Sequence, residues 1–230
     1  MADQFYPADP ADAEVVHQGW AHPSYFDSYN DSSSSCRHKY SHGEEFDASA
    51  IVIAVDGACR GNGMPWARAA YGVYFGPDHW RNEGDTLNDG TVGGGGRNWT
   101  SQRAELWGAL RALRIAQSLH SRWPVASSDD DSDSDDEEPD LEKVIIKADS
   151  EYLVKGMTSW VYKWMDNGWE NCKGLPVVNA DLFGKLVNQV RTLKGLGVEV
   201  LFWKVPRAYN WQADELANDA LDADDDSDSY

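Results

Sequence analysis

Residues 50–57 read Ala50-Ile51-Val52-Ile53-Ala54-Val55-Asp56-Gly57. The run of six apolar residues predicts a buried β-strand, and the Asp-Gly pair predicts a turn at its end. No other apolar run in the 230-residue chain is longer, so no segment approaches the roughly 20 apolar residues of a membrane-spanning helix. The fold is therefore expected to form around this strand, in a protein with no membrane contact.

Strand-like and helix-like patterns follow one another on the C-terminal side of this strand. Further strands are predicted over residues 69–75, 79–83, 144–146 and 198–205. Helices are predicted to begin at Thr100 or Ser101, at Glu151, and at Asn179 and Asn210, both as N-caps. The order of these elements predicts an α/β domain with a mixed sheet.

The negative charge lies mostly outside this pattern. The chain has a net charge of −19, and residues 1–49, 127–140 and 222–230 carry −7, −9 and −5, which leaves +2 for the rest. We therefore expect a disordered acidic and Ser-rich tail over 1–49 and a folded domain over 50–221. That domain would contain an acidic loop insertion at about 126–141, and an acidic C-terminal tail would follow over 222–230.

The cysteines and the N-terminus bear on the compartment. Cys36, Cys59 and Cys172 are odd in number and show no paired spacing, so neither a disulfide framework nor a zinc site is indicated. The first residues lack the basic-then-apolar order of a secretory signal. We expect a monomer in the cytoplasm or nucleus.

Four acids stand at the ends of predicted elements: Asp56 and Asp149 where strands end, and Glu105 and Asp214 near helix starts. Each alone is also compatible with an ordinary turn, cap or surface position. Together they could converge at one edge of the sheet. Several carboxylates on rigid elements are what two hard divalent cations need as ligands.

Five stretches carry a resemblance to a known family. They are Asp56-Gly57-Ala58-Cys59-Arg60-Gly61-Asn62-Gly63, Thr100-Ser101-Gln102-Arg103-Ala104-Glu105-Leu106, Ala148-Asp149-Ser150, the Trp-rich segment 160–169, and Asn210-Trp211-Gln212-Ala213-Asp214-Glu215-Leu216-Ala217. In order and rough spacing they resemble the type 1 ribonuclease H family. The resemblance implies a ribonuclease H-like fold, with a five-stranded mixed sheet flanked by helices.

The resemblance also implies an activity and a site. The family hydrolyses the RNA strand of an RNA–DNA hybrid as an endoribonuclease, with two Mg²⁺ ions or with Mn²⁺ in their place. Asp56, Glu105, Asp149 and Asp214 would be the catalytic metal ligands. The substrate contacts carried over are Asn62, Ser101 and Gln102 to the RNA strand, Thr100 and Asn179 to a DNA phosphate, and Tyr152 and Trp164 to deoxyribose.

The sequence departs from the family pattern in two places. Many relatives have a His in the loop before the last acid, whereas residues 205–210 contain none, and Arg207 could occupy similar space as a permanent cation. Asp166 and Glu170 weaken the basic character of the Trp-rich segment. Two alternatives therefore stay open: a catalytically weak nucleic-acid-binding module of the same fold, or an acidic interaction protein whose partners are basic proteins.

Overall fold

The computed structural model describes residues 2–4, 40–42, 45–47, 49–88, 99–122 and 141–227. The strands are β1 (Asp3–Gln4), β2 (Tyr40–His42), β3 (Glu45–Asp47), β4 (Ala50–Arg60), β5 (Arg68–Tyr74), β6 (Glu83–Thr86), β7 (Lys143–Ala148) and β8 (Glu199–Lys204). The helices are α1 (Ser101–Arg122), α2 (Glu151–Lys155), α3 (Val161–Asp166), α4 (Ala180–Gly195) and α5 (Trp211–Ser227). A π-helical turn, Gly156–Trp160, joins α2 to α3, and a 3₁₀ turn, Arg207–Tyr209, precedes α5.

The main sheet has the strand order β1-β8-β7-β4-β5-β6. The first four of these strands are mutually parallel, while β5 and β6 continue the sheet in antiparallel fashion. The predicted mixed sheet flanked by helices is confirmed. It has six strands where five were expected, because the two-residue strand β1 pairs with the edge of β8.

The predicted strand over 79–83 is wrong, since β6 begins only at Glu83. Residues 76–82 form a turn instead. Asn82 closes it, because its side chain accepts from the backbone N–H of Phe75 at 2.8 Å and donates to the Gly76 carbonyl at 2.6 Å. His79 is buried in this turn and stacks on Phe75 at 5.1 Å between ring centroids.

Strand β4 lies inside the sheet, and apolar residues cover both of its faces. Ile51, Ile53 and Val55 belong to the larger core, together with buried residues of α1 and α4. Ala50 and Val52 point to the opposite face and pack in a second cluster with residues of β7 and β8. The six-residue apolar run is thus explained by burial on both sides.

Parts of the N-terminal segment form β-strands. Strand β1 lies in the main sheet, and β2 pairs with β3 as a separate antiparallel hairpin. These strands occupy part of the region 1–49 that was expected to be a disordered tail. The acidic insertion is outside the described residues except at its last position, Leu141, which is buried.

The C-terminal acidic segment also differs from the expected tail. Helix α5 continues to Ser227, so residues 222–227 are helical. Its acidic end meets the β4–β5 hairpin, where Asp222 pairs with Arg60 and Asp224 pairs with Arg68 at 3.5 Å. The two arginines face each other across the hairpin, and this cationic pair gives the acidic end a local partner.

No helix in the described ranges is long and apolar enough to cross a membrane. Cys59 and Cys172 are free thiols, while Cys36 lies outside the residues that the structure describes.

Candidate active site

Four elements bring the predicted carboxylates to one region. Asp56 lies within β4, Asp149 directly follows β7, Glu105 is in the second turn of α1, and Asp214 is in the first turn of α5. Asp56 is buried, with only 6% of the residue's surface exposed. The other three acids all act on it electrostatically, so the four carboxylates form one cluster.

The electrostatics of this cluster disfavour a fully ionised state without cations. The pKa of Asp56 is raised from 3.8 to about 8, first by burial and then by repulsion from Asp149, Asp214 and Glu105, against a lowering by the Gly57 N–H bond. That N–H donates to Asp56 Oδ1 at 2.7 Å. Because burial and negative neighbours both oppose ionisation, a cation placed here would relieve both costs.

Glu105 is the second perturbed acid. Its pKa is raised to about 7, mainly by burial and with a contribution from Asp149, while Ser150 and Arg207 lower it. Ser150 Oγ donates to Glu105 Oε2 at 2.5 Å and also accepts from the Leu153 N–H at 3.2 Å as the N-cap of α2. One hydroxyl therefore ties the start of α2 to the carboxylate on α1.

The remaining two acids have side-chain partners on the loop before α5. Asn210 Nδ2 donates to Asp149 Oδ1 at 3.4 Å and to the Val55 carbonyl at 2.9 Å. Arg207 Nη2 donates to Asp214 Oδ1 at 2.5 Å from a side chain that is 75% exposed. The loop that lacks a His thus supplies an amide and a guanidinium to the carboxylate cluster.

The donor set fits hard divalent cations, since all four groups are carboxylates that repel one another. As placed, however, no three His, Cys, Asp or Glu side chains in the described part of the chain form a group that could hold a metal ion. Hydrogen bonds engage three of these acids, Glu105, Asp149 and Asp214, with Ser150, Asn210 and Arg207.

Close backbone packing fixes the elements that carry the acids. A Cβ at Gly57 would lie 2.2 Å from the backbone nitrogen of Glu105, so α1 contacts β4 beside Asp56. A Cβ at Gly72, the residue paired with Asp56, would lie 2.1 Å from the Ala213 carbonyl oxygen in α5. Glycine at both positions allows two helices to approach the same strand pair from opposite faces.

The predicted RNA-strand contacts lie together at the start of α1. Asn62, in the β4–β5 turn, accepts the Ser101 N–H through Oδ1 at 3.1 Å. Thr100 Oγ1 accepts the Arg103 N–H at 3.2 Å, which confirms Thr100 as the N-cap of α1. Gln102 is exposed on the first turn of α1. The turn and the helix start therefore present their polar side chains as one surface.

Asn179 does not cap α4 through its side chain, contrary to the sequence-based expectation. It adopts a left-handed conformation with φ of 60° and makes no side-chain capping bond. Its Oδ1 instead accepts from the guanidinium of Arg103 at 3.0 Å, and its Nδ2 lies 3.4 Å from Tyr152 Oη. Asn210 likewise uses its amide for Asp149 and Val55, and its Oδ1 has no hydrogen-bond partner.

The Trp-rich segment forms an aromatic cluster beside these residues. Trp164 packs edge-on against Phe183 at 5.1 Å and lies 5.8 Å from Trp160. Tyr152 contacts both Phe183, at 5.3 Å, and Trp160, at 6.1 Å. Trp160 is 38% exposed at the margin of the cluster.

A family model described as RNase H matches residues 48–222, which is most of the chain. The chain belongs to the RNase H family. The matched residues include all four carboxylates and every predicted substrate contact. The mixed sheet described above is consistent with this membership.

Individual relatives agree with the family assignment. Ribonuclease H1 of Homo sapiens is 30% identical over 173 residues, which are 74% of this chain and 49% of the relative. Ribonuclease HI of Pseudomonas putida is 28% identical over 180 residues, or 76% of this chain and 95% of the relative. The chain thus spans about half the length of the mammalian relatives.

One solved structure shows the same fold at lower identity, and others match more weakly. The foamy viral protease-reverse transcriptase, solved in complex with dsDNA, has a TM-score of 0.50 and 16% identity. The match covers 74% of this chain and 92% of the solved one. RNase H1 of the halophilic archaeon Halobacterium salinarum matches with a TM-score of 0.44 and 23% identity, covering 76% and 98% of the two chains.

The sequence analysis did not predict the supporting roles of three residues. Ser150 and Asn210 bind the carboxylates, and Arg103 binds a predicted substrate contact. Ser150 was seen only as a strand end, Asn210 only as a cap, and Arg103 only as part of a motif. Each acts through a contact with a residue at least 45 positions away in the chain. Such contacts leave no periodic or spacing signal in a single sequence.

The raised pKa of Asp56 predicts how the stability of the metal-free protein depends on pH. An acid whose pKa is higher in the folded state binds its proton more tightly there, so its contribution to the free energy of unfolding falls as pH rises. For Asp56 the fall extends from pH 3.8 to about 8 and stops above that.

Asp56→Asn should therefore gain stability relative to the parent as pH rises from 4 to 8. The measurement is thermal unfolding of both proteins in EDTA across this range. Added Mg²⁺ should reduce the difference, because a bound cation favours the ionised carboxylate of the parent. A constant difference in melting temperature across the range would contradict the assigned environment of Asp56.

Proposed function

We propose that the chain is an endoribonuclease that hydrolyses the RNA strand of RNA–DNA hybrids with two divalent cations. The observation that carries the proposal is the carboxylate cluster around Asp56, in which burial and three negative neighbours raise the pKa of the central acid. A cluster that costs energy without cations is expected where cations are used. The RNase H family generally uses divalent metal ions.

Asp56, Glu105, Asp149 and Asp214 would hold the ions, with Mg²⁺ as the first choice and Mn²⁺ as the alternative. When bound, such ions activate a water for attack on a phosphodiester and stabilise the charge on the departing 3′ oxygen. The protein's part is to hold the four carboxylates in one region, where bound cations would favour their ionised forms. Ser150, Asn210 and Arg207 orient three of them through the hydrogen bonds described above.

Substrate discrimination is assigned to two neighbouring surfaces. Asn62, Ser101 and Gln102 would contact the 2′-hydroxyls of the RNA strand, since short polar groups can bind a hydroxyl without reading bases. Thr100 and Asn179 would hold a DNA phosphate, and Tyr152 and Trp164 would pack against deoxyribose. The support is their clustering at the starts of α1 and α4 and beside the aromatic cluster.

The direct test is cleavage of an end-labelled RNA–DNA hybrid by the full chain in Mg²⁺. Duplex RNA and duplex DNA of the same sequence are the controls, and EDTA should abolish cleavage. The expected products come from internal cuts in the RNA strand only. Binding of the hybrid without cleavage in Mg²⁺ or Mn²⁺ would favour the non-catalytic binding module instead, since the loop before α5 lacks a His.

Arg207→Ala is expected to lower kcat about two- to fivefold, a range appropriate to an exposed ion pair. Arg207 lowers the pKa of Glu105 and donates a hydrogen bond to Asp214, so its loss makes Glu105 harder to ionise and leaves Asp214 without that donor. The acidic limb of the pH–rate profile should therefore move to higher pH. Arg114→Ala, which removes an exposed arginine in the middle of α1, is the control. An unchanged profile would reduce Arg207 to a surface residue.

A further inference from the structure

The side chain of Arg103, on α1, forms hydrogen bonds with two residues at the start of α4. Its side chain is 6% exposed, and the guanidinium donates from Nη1 to Asn179 Oδ1 at 3.0 Å and to Asp181 Oδ1 at 3.1 Å. Nη2 donates to Asp181 Oδ2 at 3.0 Å. The planar guanidinium of one residue in the first turn of α1 thus binds two residues at the start of α4.

The same residue contacts both of the proposed DNA-phosphate ligands. Its backbone N–H donates to Thr100 Oγ1, and its side chain holds the amide of Asn179. Thr100 and Asn179 stand on different helices, so their relative position depends on what joins the helix starts. Arg103 binds both of them, Thr100 through its backbone N–H and Asn179 through its side chain.

The hydrogen bonds of Asn179 also include Tyr152. Asn179 Nδ2 lies 3.4 Å from Tyr152 Oη, which in turn donates to the Val178 carbonyl at 2.9 Å. Asn179 also adopts a left-handed backbone conformation, which a non-glycine residue maintains only when its surroundings fix it. The guanidinium of Arg103 is one of the groups that fix it.

We infer that Arg103 is a positioning residue for the DNA strand: its buried guanidinium sets the Asn179 amide at the distance from Thr100 that one backbone phosphate requires. The inference rests on the proposed function, and it assigns to Arg103 no contact with the substrate. An arginine is needed because the fork must reach an amide and a carboxylate together, which the single ammonium of a lysine cannot do in the same geometry.

The competing explanation is that Arg103 only ties α1 to α4. Removing one partner of a buried ion pair destabilises a protein whatever its function. A loss of activity or stability in an Arg103 variant is therefore insufficient. The decisive measurement is how strongly KM depends on the charge of a single DNA phosphate. A residue that only connects α1 to α4 would not change this dependence.

The experiment measures KM and kcat of the full chain on RNA–DNA hybrids that carry one neutral methylphosphonate in the DNA strand, moved one position at a time. For the parent, we expect KM to rise at one position, where Thr100 and Asn179 hold the phosphate. In Arg103→Lys, KM for the unmodified hybrid should rise about tenfold, the loss of one charge-assisted hydrogen bond, with kcat nearly unchanged. The methylphosphonate should then add little further loss at that position.

Arg111→Lys is the matched control. Arg111 lies on the same helix and also binds a carboxylate with two hydrogen bonds, to Glu83 at 2.7 and 2.6 Å, but Glu83 is on β6. This variant should lose stability without changing KM or the position-specific effect of the methylphosphonate.

A second variant covers the case in which Arg103→Lys does not fold. Arg103→Met combined with Asp181→Leu replaces the ion pair by apolar side chains of similar size, a change that often preserves stability. Its thermal unfolding should stay close to that of the parent, while the position-specific effect disappears. If either folded variant keeps the parent's KM and its full methylphosphonate effect, the positioning role is wrong.

The outcomes separate the two proposals. A parent that does not cleave hybrid overturns the proposed function. A parent that cleaves hybrid but shows no sensitive DNA phosphate, or whose sensitivity survives in the Arg103 variants, overturns the inference and leaves the function standing.

Discussion

Asp56→Asn is expected to reduce hybrid cleavage about a thousandfold while the protein remains folded. Asp56 is the acid on which the other three carboxylates act, and it is the most deeply buried of the four. An amide keeps the shape of the side chain but removes one of the negative charges that would hold the cations. The expected loss corresponds to about 4 kcal/mol of transition-state stabilisation.

The variant separates a catalytic effect from a folding effect because its stability should change in the opposite direction. Without cations, the removal of one buried negative charge relieves repulsion from Asp149, Asp214 and Glu105. The melting temperature in EDTA at pH 8 should therefore be at least that of the parent. Single-turnover cleavage in Mg²⁺ and thermal unfolding in EDTA measure the two effects.

The matched control for this substitution is Asp85→Asn. Asp85 is an exposed acid on β6 of the same sheet, where its carboxylate accepts the Thr86 N–H. Its loss changes the net charge by the same amount and should leave cleavage unaltered. Near-parental cleavage by pure Asp56→Asn would show that the four carboxylates are not the metal ligands.

Gly57→Ala is expected to destabilise the protein by about 3 kcal/mol or more and to abolish most cleavage. The added Cβ would lie 2.2 Å from the Glu105 nitrogen and 2.5 Å from the Ala104 carbonyl carbon. Both contacts are with backbone, so no side-chain rotation can relieve them, and α1 must move away from β4. Overpacking of this kind typically costs 1 to 3 kcal/mol, and more when the neighbour is rigid backbone.

The loss of cleavage has a geometric cause, because the displaced helix carries Glu105 and the start of the substrate surface. Gly184→Ala is the control: it lies within α4, and an added Cβ there meets nothing within 4 Å. That variant should gain about 0.5 to 1 kcal/mol, since alanine favours a helix over glycine. Urea unfolding of both variants measures the difference. Equal stabilities would contradict the close contact between α1 and β4.

Sequence patterns with a local physical cause were predicted well. The apolar run at 50–55 gave the central strand, Thr100 was one of two predicted N-caps of α1, and helix α2 begins at Glu151 as expected. Each depends on the chain within a few residues, through periodicity or capping. The resemblance to the family named the four acids, and the structure places them on four different elements of one region.

Other features have no local cause. Strand β1 is two residues long and exists through its pairing with β8, almost 200 positions later. The strand expected at 79–83 is a turn because the Asn82 side chain bonds the backbone of Phe75 and Gly76. The run of acidic residues at the C-terminus predicted a disordered tail. In the structure this segment is helical, and its Asp222 and Asp224 form ion pairs with Arg60 and Arg68.

The sequence by itself indicated the central strand β4, the starts of α1, α2 and α5, the acids at the ends of elements and, by resemblance, the family. Only the tertiary structure decided the state of those acids and the residues that position them. Burial and three neighbouring charges raise the pKa of Asp56, and Arg103 reaches Asn179 across 76 positions of chain. Both effects depend on distances between segments remote in sequence, and local propensities carry no information about such distances because folding brings the segments together only through the packing of the whole core.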